Sequence, residues 1–297
     1  YLNEDWQAFL EKANGIDDSF LCKIENSVQF DDPVNIQYTS GTTGFPKGVT
    51  LSHHNILNNG FFIGERLKYS EIDRVCIPVP FYHCFGMVIG NLACVTHGSC
   101  MVIPNDGFDA AITLQTVQAE KCTSLYGVPT MFISMLGIPN FKNFDLTTLR
   151  TGVMAGSPCP VEVMKRVQVE MNMQEISICY GMTETSPVST QTKIGVPFEK
   201  QVSTVGTVLD HLEIKIIDSE TGEILPREKS GELCTRGYSV MLKYWNDPIK
   251  TAEVLDESRW MHTGDLASMD QEGFITITGR IKDLIIRGGE NISPKWI

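Results

Sequence analysis

No two of the nine cysteines form a C-x-x-C pair, and their number is odd. That argues against a disulfide framework and against the usual spacing of a zinc site. Free thiols in a reducing compartment are expected instead, serving as small core hydrophobes and not as zinc ligands. Basic residues are also scarce. The chain has 24 Lys and Arg against 36 Asp and Glu, a formal net charge of −12, so it offers no basic stripe for nucleic acid. An anionic nucleotide would have to be held by local donors and a metal, against the overall field. The opening Tyr1-Leu2-Asn3-Glu4-Asp5 is acidic and lacks an initiator methionine. The chain therefore reads as a segment of a longer protein, with any targeting peptide upstream. Charge is absent from Val75 to Asn105, long enough for a membrane span. Pro78, Pro80, His83, Gly86, Gly90, Asn91 and His97 interrupt that stretch, so strand, turn, helix and second strand inside an α/β core are expected, with no transmembrane segment. No internal repeat or low-complexity tract is visible.

What is present points to α/β architecture. The 297 residues are enough for two subdomains or more. The first thirty or so are acidic and poorly patterned, with Asp17-Asp18 and Asp31-Asp32-Pro33 as breaks. Ser52 is a candidate N-cap for a helix running through Ile56, Phe61 and Ile63 towards Leu67. Strands are expected at Val75–Val79, Cys100–Ile103, Ser124–Val128 and Val153–Ala155, with helices from Ile112 to Lys121 and from Pro160 to Val169. Such alternation predicts mostly parallel sheets flanked by helices on both faces. After about Gly195, short strands at Val205–Val208, Glu213–Ile217, Glu232–Thr235 and Phe274–Thr278 suggest a small antiparallel or barrel-like β subdomain. The expected division is residues 1–195 as partial α/β subdomains for nucleotide and acyl group, 196–278 as the β-rich subdomain, and 279–297 as a hinge opening a truncated further domain.

The most informative stretch is Tyr38-Thr39-Ser40-Gly41-Thr42-Thr43-Gly44-Phe45-Pro46-Lys47-Gly48. Its glycines let backbone N–H groups approach an anion, its hydroxyls add donors, and Lys47 adds a point charge suited to phosphate. It is a polyphosphate-gripping loop of a kind distinct from the Walker loop, which requires glycine where Pro46 stands. Elsewhere, Glu184 is a hard oxygen ligand of the type Mg²⁺ prefers. Tyr180 offers a flat face for an adenine, and Gly181 lets backbone approach that ring. Asp265 can accept both hydroxyls of a ribose diol. Each also has a plain reading, respectively a solvated glutamate, a core tyrosine and a turn-forming aspartate.

The loop resembles the phosphate-binding signature of the adenylate-forming enzymes: acyl-CoA synthetases, luciferases and peptide-synthetase adenylation domains. Four further matches follow in the family's order. They are Pro80-Phe81-Tyr82-His83-Cys84-Phe85-Gly86, Tyr180-Gly181-Met182-Thr183-Glu184, Thr263-Gly264-Asp265, and Gly279-Arg280-Ile281-Lys282-Asp283. Within that family the chain is similar to mitochondrial medium-chain fatty-acid ligases. The resemblance implies the large N-terminal domain of such an enzyme, incomplete at both ends. It implies ATP, Mg²⁺ and the co-substrate CoA, and a mitochondrial matrix address.

The resemblance further implies site roles. Thr39 to Lys47 would hold the β- and γ-phosphates. Thr183 would donate to the α-phosphate or the acyl carboxylate, Glu184 would bind the metal, and Gly156-Ser157 would form another wall of the adenine site. Arg280 would join Asp265 at the ribose, and His83 would gate the acyl pocket or orient the carboxylate. Lys282 would be the hinge, Arg287-Gly288-Gly289 would face CoA, and the adenylation lysine would lie beyond Ile297. An amino-acid substrate would need a buried acid for its ammonium. Phe81 to Gly90 contains none, and Met87, Val88, Ile89, Val128 and Met131 are apolar candidate pocket walls. A fatty acid fits that pattern. A luciferase-type oxidation shares the adenylation step and is not excluded by motif. A truncated isoform that binds acyl-adenylate without catalysis stands as the alternative. Oligomeric state is left open.

Overall fold

The computed structural model describes residues 5–39, 46–281, 285–287 and 290–292. It opens on two helices, α1 (Trp6–Glu11) and α2 (Asp18–Ser27), where the sequence suggested an unpatterned acidic stretch. Of the aspartates read as breaks, Asp17-Asp18 start α2, while Asp31-Asp32 do lie in a turn before the first strand; Asp5, not singled out, starts α1. Asp5 and Asp17 accept the backbone N–H groups of Gln7 and Ser19 at 2.7 Å, satisfying donors that a first turn leaves orphaned. Neither helix buries a residue.

Strands β1 (Pro33–Thr39) and β2 (Lys47–Ser52) pair antiparallel, with Thr39 opposite Lys47. Ser52 then caps α3 (His53–Leu67) as anticipated: its hydroxyl accepts from Asn55 N–H at 3.2 Å, and its own N–H donates to the Asn55 side chain at 2.7 Å. One face of α3 buries Ile63 and Leu67, but the helix also buries Asn59 and Arg66. Asn59 exchanges hydrogen bonds with the backbone of Val188, and Arg66 donates to the Gln191 carbonyl at 2.7 Å. Burial lowers the Arg66 pKa, and those carbonyl partners are what make its burial tolerable.

The charge-free stretch forms β3 (Arg74–Cys76), a π-helical segment over Phe85–Leu92 that continues as α4 (Ala93–His97), and β4 (Cys100–Val102). The first strand is shorter than expected because Pro78 and Pro80 have no N–H for the ladder. Among the described residues no helix is long and apolar enough to cross a membrane. There follow α5 (Ala110–Ala119), β5 (Ser124–Gly127), α6 (Pro129–Leu136), β6 (Thr151–Met154), α7 (Val161–Glu170), β7 (Glu175–Gly181), β8 (Val188–Gln191), α8 (Phe198–Ser203) and β9 (Thr207–Val208).

Seven strands make one sheet, in the order β4-β3-β5-β6-β7-β8-β9. The first five run parallel and the last two antiparallel. Side chains alternate between two apolar cores. Leu125 and Met154 enter one, with Leu114, Phe132 and Val167, while Tyr126 and Val153 enter the other, with Ile63 and Val75. Both faces are therefore covered, as a parallel sheet requires.

The remaining chain forms β10 (Leu212–Ile217), β11 (Gly231–Gly237), β12 (Lys243–Tyr244), α9 (Pro248–Val254), β13 (Met261–Met269) and β14 (Ile275–Arg280). An antiparallel sheet in the order β10-β11-β13-β14 closes over a small core of Ile216, Leu233, Ala267 and Ile275. The strand expected at Val205–Val208 is corrected. Only Thr207–Val208 is extended, and it pairs with β8 at the edge of the large sheet. The two sheets are joined beside it, where Val205 N–H donates to the Ile275 carbonyl at 2.8 Å and Ile275 N–H to that of Gly206 at 2.9 Å. Likewise β12 pairs with β2.

A polar clasp crosses the N-terminal ends of the parallel strands. Asp73, before β3, accepts from Arg150 Nη2 at 3.0 Å and from the Thr123 hydroxyl at 2.7 Å. Arg150 Nη1 continues to Glu175 at 3.1 Å, at the start of β7. Residues preceding or opening four neighbouring strands are thereby tied together, and the opposite end of the sheet is left to other uses.

Candidate functional site

Open parallel sheets bind ligands outside the carboxyl ends of their strands. At that end β7 delivers Tyr180 and Gly181, β6 is followed by exposed Gly156 and Ser157, and His83 follows β3. Gly181 has a local reason to be glycine. A Cβ there would stand 1.8 Å from the Pro187 carbonyl oxygen, so the bulged pairing of β7 with β8 requires it whatever ligand is near.

Two buried carboxylates organise the site. The first, Asp265 on β13, is 6% exposed. Its Oδ2 accepts the Tyr180 hydroxyl at 2.6 Å, and its Oδ1 accepts from Arg280 Nε at 2.8 Å. The predicted trio of Tyr180, Asp265 and Arg280 is thus assembled from two sheets, although each oxygen expected to face a diol already has one protein partner. Burial, then the Asp265 charge, pushes the Tyr180 phenol well above its usual range. Its ring packs on the small core of the antiparallel sheet. The bulged part of β13 that carries Asp265 is held from below. Gly264, at φ +71°, donates its N–H to Glu232 Oε1 at 3.1 Å, and the Thr263 hydroxyl donates to the Leu233 carbonyl at 2.7 Å.

The second carboxylate, Glu184, is 5% exposed and sits in a short 3₁₀ turn over Thr183–Thr185. Its Oε1 accepts the Tyr244 hydroxyl at 2.7 Å. The Tyr244 oxygen in turn accepts from Lys47 Nζ at 3.2 Å, and that ammonium lies 4.6 Å from the ring centroid. Cys84 closes the other side, donating its thiol to Gln37 Oε1 at 2.7 Å. Burial and the neighbouring Glu184 charge push that thiol up to about 12, while a hydrogen bond with Thr183 opposes them. Lys47, Thr183 and Glu184 were expected here; Tyr244, Cys84 and Gln37 were not singled out. The apolar alternation of Val34, Ile36 and Tyr38 would put Gln37 on the solvent side of β1, whereas those three are exposed and Gln37 is buried, and nothing in the local sequence marks Tyr244.

Glu184 has no Lys or Arg partner among the described residues. A buried carboxylate whose one neutral donor is a phenol suits a hard cation, so the donor set fits Mg²⁺. His83 is exposed at one side, and its Nδ1 accepts the Phe85 N–H at 3.0 Å. Partial burial of its ring by neighbours lowers its pKa. Of the expected apolar walls, Val88 and Ile89 are fully committed to two different cores, while Met87, Val128 and Met131 are half-buried beside them. A cleft of ≈ 500 Å³ has Tyr244 in its wall, together with Lys243, Asp247, Leu255 and Arg259. Thr39 is half-buried at the end of β1, and Pro46 is exposed ahead of Lys47. Ser40 to Phe45, Lys282, Gly288 and Gly289 lie outside the described residues, as does the side chain of Arg287.

Fold and site together define an adenylate-forming type of protein, and comparison with known proteins agrees. The family described as AMP-binding enzyme matches residues 3–245. The chain belongs to that family. It is 53% identical over 285 residues to the putative acyl-CoA synthetase YngI of Bacillus subtilis, covering 96% of this chain and 52% of that protein. It is 50% identical over 282 residues to the mitochondrial medium-chain acyl-CoA ligase ACSF2 of Danio rerio, covering 93% and 46%. Among solved structures, ATP-bound MatB from Rhodopseudomonas palustris superposes with a TM-score of 0.81 at 32% identity, over 91% of this chain and 52% of that one. The o-succinylbenzoate CoA synthetase of Bacillus subtilis with its acyl-adenylate intermediate gives 0.80 at 30%, over 90% and 53%. The chain spans about half the length of the relatives it matches.

Proposed function

We propose that the protein activates a medium-chain fatty acid with ATP to an acyl-adenylate and then transfers the acyl group to CoA. The observation that carries this reading is the pair of buried carboxylates. Asp265 is held by Tyr180 and Arg280, and among the described residues the Glu184 carboxylate is partnered by Tyr244 alone. In this reading Asp265 and Arg280 take the ribose, and Tyr180, Gly156 and Ser157 border the adenine. Thr39 to Lys47 grips the β- and γ-phosphates, and Thr183 donates to the α-phosphate or acyl carboxylate. Mg²⁺ held by Glu184 would neutralise developing phosphate charge. Tyr244 keeps the Glu184 carboxylate and the Lys47 ammonium at a fixed separation, so that cation and phosphate meet donors already in place. His83 orients the acyl carboxylate, which is ionised at neutral pH and needs no base. Lys282 acts as hinge, and Arg287 to Gly289 faces CoA.

The names of the ACSF2 relatives support the acyl class and a mitochondrial address, and the charge-free stretch after His83 supports an apolar tail. Because these 297 residues span about half the length of those relatives, they should by themselves bind acyl-adenylate and turn over poorly. The test is equilibrium binding of non-hydrolysable acyl-adenylate analogues of two to sixteen carbons. Each buried methylene is worth about 0.8 kcal/mol, so affinity should rise roughly fourfold per carbon to a plateau at medium length. Flat binding would overturn the fatty-acid assignment, and near-normal ligase turnover by the chain alone would overturn the catalytic division.

A further inference from the structure

The antiparallel sheet carries a second cluster of ligand-type side chains that the proposed chemistry does not use. Glu232 and Cys234 lie two residues apart on β11, and His262 on β13 is the cross-strand partner of Cys234. Strand periodicity therefore places all three on one face of the sheet. One ligand atom from each, Cys234 Sγ, His262 Nδ1 and a Glu232 carboxylate oxygen, lie within 4.8 Å of one another. Sγ to Nδ1 is 3.6 Å, and Nδ1 to Oε2 is 3.0 Å. A tetrahedral zinc with ordinary bond lengths would place its sulfur and nitrogen about 3.6 Å apart, and its nitrogen and oxygen about 3.3 Å apart.

Neighbouring groups fit the same assignment. Glu232 Oε1 is occupied by Gly264 N–H, which orients the carboxylate with Oε2 towards His262. Asp256 lies 3.9 Å from Nε2, on the far side of the imidazole, where the partners that orient metal-bound histidines are found. Cys234 is fully buried and the Glu232 side chain is 11% exposed, while His262 at 32% leaves a route for an ion and room for a water as fourth ligand.

We propose that Glu232, Cys234 and His262 form a binding site for a borderline-soft divalent cation of the zinc type, distinct from the hard-cation site at Glu184. In the metal-free state the Nδ1 proton bridges His262 and Glu232. On binding, the thiol proton leaves to solvent and the imidazole proton moves from Nδ1 to Nε2, facing Asp256, so that the cation takes Nδ1, Sγ and Oε2 as ligands. Through Glu232 and Gly264 the site adjoins the bulge of β13 that carries Asp265, so occupancy would fix that bulge. The proposal does not depend on the identity of the acyl substrate.

The test is titration of the protein with Co²⁺ under metal-free, non-chelating conditions, with Cys22 and Cys100 replaced by serine to remove the exposed thiols. A thiolate-to-cobalt charge-transfer band saturating at one equivalent is expected, with Zn²⁺ displacing Co²⁺. Cys234→Ser should abolish the band, and Glu232→Gln should weaken binding at least about tenfold. Zn²⁺ should raise the melting temperature of the parent but not of Cys234→Ser. Should Cys234→Ser not unfold cooperatively, His262→Gln serves as the ligand knock-out with the same expected losses. No band at one equivalent, or a band that persists in these variants, overturns the proposal.

Discussion

The two ends of the large parallel sheet hold their polar groups in opposite ways. At the N-terminal end Asp73, Thr123, Arg150 and Glu175 satisfy one another across four strands. At the C-terminal end Glu184 is also buried, 5% exposed against 2% for Asp73, yet its one described side-chain partner is the phenol of Tyr244. A buried charge is costly unless paired, so the closed clasp reads as stability and the open carboxylate as capacity reserved for a ligand. Asp265 lies between these extremes, neutralised by Arg280 but bonded, among the described residues, through one contact per oxygen.

Variants at each end should separate stability from function. The largest effect is expected for Glu184→Gln, which keeps shape and an acceptor for Tyr244 but removes the charge. Pyrophosphate exchange by the full-length protein should fall about 10²–10³-fold with little change in melting temperature. Loss of folding instead would make Glu184 structural. Arg150→Ala should do the reverse. It strands the nearly inaccessible Asp73 carboxylate, so denaturation should show a loss of about 3 kcal/mol while adenylate affinity per folded molecule stays unchanged.

Asp265→Asn should weaken acyl-adenylate binding roughly tenfold, because Arg280 and Tyr180 lose their ionised acceptor. Calorimetry gives the comparison, and unchanged affinity would remove Asp265 from the ribose. Tyr244→Phe should cost about 1 kcal/mol in activity, seen chiefly as a higher Mg²⁺ requirement, since only the bridge between Lys47 and Glu184 is lost.

The smallest effect is pH dependence at His83. Partial burial lowers its folded pKa below the unfolded value, so the unfolded chain binds the proton more readily. Stability should therefore decline as pH falls below about 6.5. His83→Asn, which retains an acceptor for Phe85 N–H, should flatten that part of the melting-temperature profile.

Much of the fold was legible because hydrophobic period and capping chemistry act locally. Ser52 announced α3, and the alternation from Val75 to Val169 announced covered parallel strands. The misreadings have physical causes. The acidic N-terminal stretch hid two helices because their aspartates cap first turns, and neither helix buries a face that would show as a pattern. Thr207–Val208 was assigned to the small sheet because a two-residue strand carries no information about which edge it joins. Gly181, expected to let backbone approach a ring, also meets a local requirement that the sequence does not display, the Pro187 carbonyl.

The sequence alone determined the family, through five motifs in order, and the chemical character of the loop ending at Lys47. It also determined that the segment Phe81 to Gly90 contains no acid to pair with an ammonium. Only the tertiary structure decided that Tyr244 stands between Lys47 and Glu184, that Cys84 and Gln37 close the same centre, and that Glu232, Cys234 and His262 share one face. These partners are separated by up to 197 positions along the chain, as Lys47 and Tyr244 are. Residue spacing specifies neighbours within a helix or strand, whereas partners across a sheet are set by register, which emerges only when the whole core packs.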